Sequence, residues 1–163
     1  MDDRLAVLLL PAKLEAFELE GHARALLDIP RVIALEPARV RTPRFMRDAA
    51  SARQAKRIRF PGLLSVVVLY HPAQYPLARA LCAGYEEAEL WYVAPDRASL
   101  GAAGGSNTAE LLTFDSLARE RATGLLAATD GANVEDDDLR VRLHELDVIN
   151  ARAFIPGGRS RGG

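Results

Sequence analysis

The sequence predicts an α/β domain of three layers: a mostly parallel sheet of about six strands, with helices on both faces. Three observations carry this. Short, predominantly apolar runs recur at Leu5–Leu10, Arg31–Leu35, Leu64–Tyr70 and Leu90–Val93, and such runs mark strands buried on both faces. Segments that can form helices separate these runs, joined by short connections, which is βαβ alternation. The chain has 163 residues, 49% apolar and 26% charged, enough for one domain with a core of its own.

Each element follows from local chemistry. Leu5–Leu10 (LAVLLL) ends at Pro11. Lys13 to Leu27 places Leu14, Phe17, Leu19, Ala23, Leu26 and Leu27 near one helical face, weakened at Gly21 by roughly 1 kcal/mol relative to Ala. Asp28-Ile29-Pro30 stops it. Arg31–Leu35 is the second strand, closed by Glu36-Pro37. Phe45 to Lys56 is Ala- and Arg-rich and predicts a helix, and Ile58-Arg59-Phe60 predicts a short strand before the turn Pro61-Gly62.

Leu64–Tyr70 is the most strand-like run, with three successive valines. His71-Pro72 ends it, and Pro76 suits the first turn of the next helix. Gly84 is its expected C-cap. Leu90–Val93 is the fourth strand, closed by Pro95-Asp96. Residues 97–109 read as a Gly/Ser/Ala loop. Glu110–Ala122 predicts a helix with Leu111, Leu112, Phe114, Leu117 and Ala118 inward. Leu125–Thr129 is a short strand. Asn133 to Leu146 predicts a helix whose early acids, Glu135 to Asp138, complement its dipole. Ala153–Ile155 predicts a last strand. The expected layout is a single Rossmann-like domain over 1–155 and a disordered tail over 156–163.

Composition excludes several classes. The net charge is -1, so no global field points to nucleic acid or membrane. Cys82 is the sole cysteine, which rules out a disulfide framework or a Cys-based zinc site and fits a reducing compartment. The acidic start and the short first apolar run argue against a signal peptide, and no apolar stretch nears the roughly 20 residues that span a bilayer. A cytoplasmic protein is expected. The charge is segregated, however. Residues 31–60 hold nine Arg and Lys against Glu36 and Asp48, whereas 130–147 are acidic. Two readings follow: a basic patch beside a neutral cleft, or a solvated basic connector and an acidic helix start.

Motifs narrow the chemistry further. No G-x-G-x-x-G follows the first strand, and there is no P-loop and no G-x-S-x-G elbow. In open α/β sheets, ligands bind beyond the carboxyl ends of the strands. His71 follows the strongest strand there, and its imidazole can donate or accept near pH 7. It is either a structural residue or part of a cleft wall. Tyr70, Gln74 and Tyr75 are candidates for the same wall, and Asp96 for the same rim. His22 and His144 read as surface residues on helices. The three histidines lack metal-ligand spacing, and the successive helical carboxylates Glu135–Asp138 do not converge on one point. No metal site is expected.

Several landmarks resemble the amino-terminal half of a GT-B glycosyltransferase of the retaining group-1 type. Leu69-Tyr70-His71-Pro72 is similar to that family's strand ending in aromatic-His/Asp-Pro, and Tyr75–Leu81 to its following helix. Leu90–Asp96 resembles its next strand, and Arg31–Pro37 its second. Leu117–Ala122 with Leu125–Thr129 resembles its later helix and strand, and Phe154-Ile155-Pro156-Gly157-Gly158 its I-P-N-G segment. Gly157 replaces the asparagine of that segment. No two Glu flank seven residues, so the E-x7-E pattern of the donor domain is missing.

The resemblance implies an acceptor-side half-domain without the donor-side half, inactive alone. It implies His71 at the cleft wall and Asp96 near the acceptor loop, with no catalytic residue assigned. It implies a nucleotide-sugar donor held by a second half-domain or a homo-oligomeric partner, and no cofactor in this chain. The alternative is a non-catalytic Rossmann-like module binding a nucleotide, an anionic metabolite or a protein partner. A third reading takes Arg53, Lys56, Arg57 and Arg59 as a surface for anionic lipid at the inner membrane face. For nucleic acid, aromatic interleaving is lacking.

Overall fold

A computed structural model describes residues 3–10, 19–36, 47–85, 88–95, 108–129 and 133–153. The elements are β1 (Arg4–Leu9), α1 (Glu20–Leu27), β2 (Val32–Leu35), α2 (Arg47–Arg57), β3 (Leu63–Leu69), a 3-10 turn (Pro72–Gln74), α3 (Tyr75–Ala83), β4 (Glu89–Ala94), α4 (Thr108–Arg121), β5 (Gly124–Thr129), β6 (Asn133–Val134) and α5 (Asp137–Ala153). Five strands form one parallel sheet in the order β2-β1-β3-β4-β5. The two-residue β6 adds antiparallel to the edge of β5. The fold is the expected Rossmann-like α/β sandwich.

Two cores lie on the two faces of the sheet. Leu19 just before α1, Ala23 and Leu26 of α1, and Leu139, Leu143 and Leu146 of α5 pack on Ala6, Leu8, Val66, Val68 and Val93. The α5 leucines recur at helical spacing, so they form one apolar stripe. Tyr75, Leu77, Ala78 and Leu81 of α3 and Ala118 of α4 pack on Leu5, Val7, Leu9, Val67, Leu69 and Tyr92, with Ala55 of α2 at the margin. One layer is therefore α1 and α5, and the other α2, α3 and α4.

A bulge decides which way β3 faces. Leu5 pairs with Leu64, but Ala6 pairs with Val66, leaving Ser65 as an extra residue. The side-chain period of a strand is two, so one added residue exchanges the faces. Leu64 thus faces α3, whereas Val66, Val68 and Tyr70 face α1 and α5. Were Ser65 an ordinary ladder residue, the phase set by Leu64 would turn Tyr70 toward α3.

Several local expectations change. Residues 58–60 form no strand. Ile58 N–H instead bonds Ala55 C=O at 3.2 Å, closing α2. Ala153 ends α5 and does not begin a strand. Asn133 lies in β6, so α5 starts at Asp137, and only Asp137 and Asp138 occupy its first turn. The amino-terminal part of the first predicted helix, the 97–107 loop and the tail over 156–163 lie outside the described residues. At the sheet edge, Gly124 pairs with Trp91, and a Cβ there would run into the indole ring. No described helix is long and apolar enough to cross a membrane.

Candidate functional site at the carboxyl rim

Helix α1, which follows β1, and α3, which follows β3, pack on opposite faces of the sheet, although β1 and β3 are neighbours. Adjacent strands whose connections part to opposite faces leave a crevice at their carboxyl ends, the place where doubly wound sheets take ligands. His71 and Gln74 stand on the β3 side of it.

His71 precedes the 3-10 turn in extended conformation, and its Nδ1 accepts the Ala73 N–H at 3.1 Å. This sequence-local bond is an N-cap, available because His71-Pro72 cannot continue the strand ladder. An accepting Nδ1 leaves the proton of the neutral ring on Nε2. The ring is half-buried, and burial lowers its pKa. His71 is therefore a neutral imidazole offering an N–H.

Gln74 spans the crevice. Its Nε2 donates to the Leu10 C=O at the end of β1, at 2.8 Å. Its Oε1 is buried and has no hydrogen-bond partner among the described residues. A buried unpaired carbonyl oxygen costs about 1–3 kcal/mol, so a donor to Oε1 would be stabilising there. The Pro72–Gln74 turn runs directly into α3, whose first turn opens at this rim.

The other predicted wall residues part company. Tyr75 is 2% exposed and packs against Phe114 with ring centroids 6.3 Å apart. It is a core residue, and burial raises the pKa of its hydroxyl. Asp96 lies outside the described residues. Arg53, Lys56, Arg57 and Arg59 are exposed. They lie on the outer side of α2 and in the segment leading into β3, toward the amino ends of the strands, and take no part in the crevice.

Tyr70 turns away from His71 into the α1–α5 layer, where it meets His22. The His22 ring, expected on the surface, is only 5% exposed. Its Nε2 donates to Asp136 Oδ2 at 2.6 Å, and its Nδ1 accepts the Tyr70 hydroxyl proton at 3.0 Å. Arg140 Nε donates to both Asp136 oxygens at 2.9 Å. The ion pair Asp136–Arg140 fixes the carboxylate as acceptor, and that fixes the tautomer of His22. Burial and the Arg140 charge lower the His22 pKa against the pull of Asp136. Burial, with the Asp136 charge adding to it, pushes the Tyr70 hydroxyl well up. Tyr70 and His22 are thus neutral, and one polar chain ties β3, α1 and α5 beside the crevice. Asp136, assigned from sequence to a solvated helix start, is its anchor.

A second polar group stands on the other face. Tyr92 donates to Asp115 Oδ1 at 2.7 Å, and Arg119 Nε donates to Asp115 Oδ2 at 2.9 Å. Arg119 Nη2 also donates to the Pro95 C=O at 2.8 Å, fixing the chain as it leaves β4. Asp115 is completely buried, although the sequence placed only apolar residues inward on this helix. Its i,i+4 spacing to Arg119 was the available signal. For His22 there was none, because its partners lie 48 and 114 residues away.

No group of three or more His, Cys, Asp or Glu able to hold a metal occurs among the described residues. The fold defines a doubly wound α/β domain whose β1–β3 switch point is flanked by His71 and Gln74. No protein-family model, curated protein or solved structure matches the chain.

Proposed function

We propose that the chain is a ligand-binding module whose site is the β1–β3 crevice, taking a nucleotide or a similar small anionic metabolite. The observation that carries this reading is Gln74, with Nε2 committed to Leu10 and Oε1 buried without a donor among the described residues. An N–H or O–H of a base or sugar would complete it. The His71 Nε2–H would favour a ligand oxygen carrying negative charge. No reacting group is assigned, and the reading is of binding.

The test is thermal unfolding against a panel of nucleotides and phosphorylated metabolites. A ligand at 100 times its Kd raises stability by about 2.7 kcal/mol. The gain should vanish in Gln74→Ala and shrink in His71→Ala. A panel without any stabilising member, or a gain unaffected by both substitutions, refutes the site.

A second reading is the acceptor-side half of a glycosyltransferase. It is favoured by register: Leu69 pairs with Tyr92 in parallel, so β3 and β4 end at one rim, with His71 after the first and Pro95 after the second. In this reading a nucleotide-sugar donor is held by a second half-domain or a partner copy. Sugar transfer by the chain alone would refute the divided form.

A further inference from the structure

The crevice uses one end of the sheet, and a charged face lies elsewhere. Ser51 of α2 is buried, with Ala55 and Ile58 packed beside it toward the core. At 100° per residue, Arg53, Lys56 and Arg57 fall on the opposite side of the helix. All three are exposed, as is Arg59 in the segment that follows. Helix α3 packs alongside α2, and its Arg79 is exposed opposite the buried Leu77, Ala78 and Leu81. The five cations share the outer surface of one layer, and no ion pair among the described residues engages them. Lys56 and Arg57 complement the dipole at the end of α2, but that account does not extend to Arg53 or Arg79.

A cluster of acids lies on the other side of the molecule, although Glu120 of α4 is exposed in the same layer as α2 and α3. Glu135, Asp137 and Asp138 are exposed at the start of α5, which packs on the opposite face of the sheet. The net charge of -1 therefore conceals a molecule with a cationic face and an anionic one. Such a molecule orients in the field of a charged surface.

We infer that the α2–α3 face docks on an anionic bilayer surface. Two adjacent helices present a broad cationic surface without exposed aromatic residues for stacking on bases, which favours lipid headgroups over single-stranded nucleic acid. The apolar side of α2 is committed to the core, so docking is electrostatic and inserts nothing. Each basic residue close to an anionic leaflet contributes about a fivefold gain in partitioning. Five residues suffice for reversible attachment. Docked this way, the molecule keeps the acidic start of α5 away from the membrane.

The experiment is co-sedimentation of the full chain with vesicles of phosphatidylcholine containing about 30% phosphatidylserine, against phosphatidylcholine alone. Binding is expected only to the anionic vesicles, and is lost at 1 M salt, where the screening length falls to about 3 Å. Arg53→Gln with Arg57→Gln should weaken binding roughly 25-fold with an unchanged melting temperature. If that pair lowers the melting temperature, Arg79→Gln alone serves, with a loss of about fivefold. Equal binding to both vesicles, no binding to either, or insensitivity to the substitutions overturns the inference. So does binding to duplex nucleic acid without sedimentation with anionic vesicles.

Discussion

His22 Nε2 lies 2.6 Å from Asp136 Oδ2, across 114 residues of sequence. That contact joins the first helix to the last at the carboxyl rim. Tyr70 on β3 extends it, and Arg140 neutralises it. A buried carboxylate beside one guanidinium and one neutral imidazole has most of its acceptor capacity used. The group therefore holds α1, β3 and α5 in one arrangement next to the proposed ligand site.

Removing the middle of this chain should be costly. His22→Ala leaves the Tyr70 hydroxyl without that acceptor and Asp136 without that donor. Each buried group so stranded costs about 1–3 kcal/mol. Urea unfolding should show a loss of about 2–4 kcal/mol, and a loss no larger than that of an ordinary surface substitution would show the chain to be without weight. His144, exposed on α5, is the control, and its replacement by Ala should change stability by less than about 0.5 kcal/mol.

The histidines also set a pH dependence. Both His22 and His71 have pKa values lowered from 6.5 by burial. The unfolded chain therefore binds more protons than the folded one between each folded value and 6.5, and stability rises with pH through that window. The contribution is complete above 6.5 and is lost as pH falls from 6.5 toward the lower folded values. Melting temperature measured against pH should show this slope. His22→Gln should flatten it in part, leaving the share of His71. A slope of opposite sign, or none, would contradict the buried neutral state.

Gly124 faces the Trp91 ring so closely that a methyl group there collides with the indole. Trp91 is itself held by its Nε1–H donating to Glu89 Oε1 at 3.0 Å, and Arg142 of α5 donates to the other Glu89 oxygen at 2.9 Å. The ring cannot move without disturbing α5. Gly124→Ala should cost about 1–3 kcal/mol by overpacking and shift the fluorescence of the single tryptophan. A stable variant with unchanged emission would mean that the ring yields freely.

The fold was legible because it rests on local signals. The runs at Leu5–Leu10, Leu64–Tyr70 and Leu90–Val93 are apolar on both faces, which only a covered parallel sheet requires. His71-Pro72, Pro76 and Gly84 punctuate the chain through backbone chemistry that acts within a few residues. His71 proved to be a cap, and Gly84 N–H accordingly closes α3 onto Ala80 and Leu81. The boundary at Asn133 was misread because its helical pattern continues into a strand that exists only by pairing with β5.

By itself, then, the sequence determined the α/β alternation, the five parallel strands, and the presence of His71 and Gln74 at the end of the strongest one. Tertiary structure alone decided the rest of the site. Val66 to Leu69 of β3 are all apolar and carry no alternation to say which face Tyr70 takes, and the bulge at Ser65 settles it. Tyr75 reads as polar in sequence but is spent on the α3–α4 core. His22 and Asp136 each look like solvated helix residues until folding removes both from water. The physical reason is common to all three: a side chain's environment is set by what packs against it, and those partners come from distant segments that no local pattern specifies.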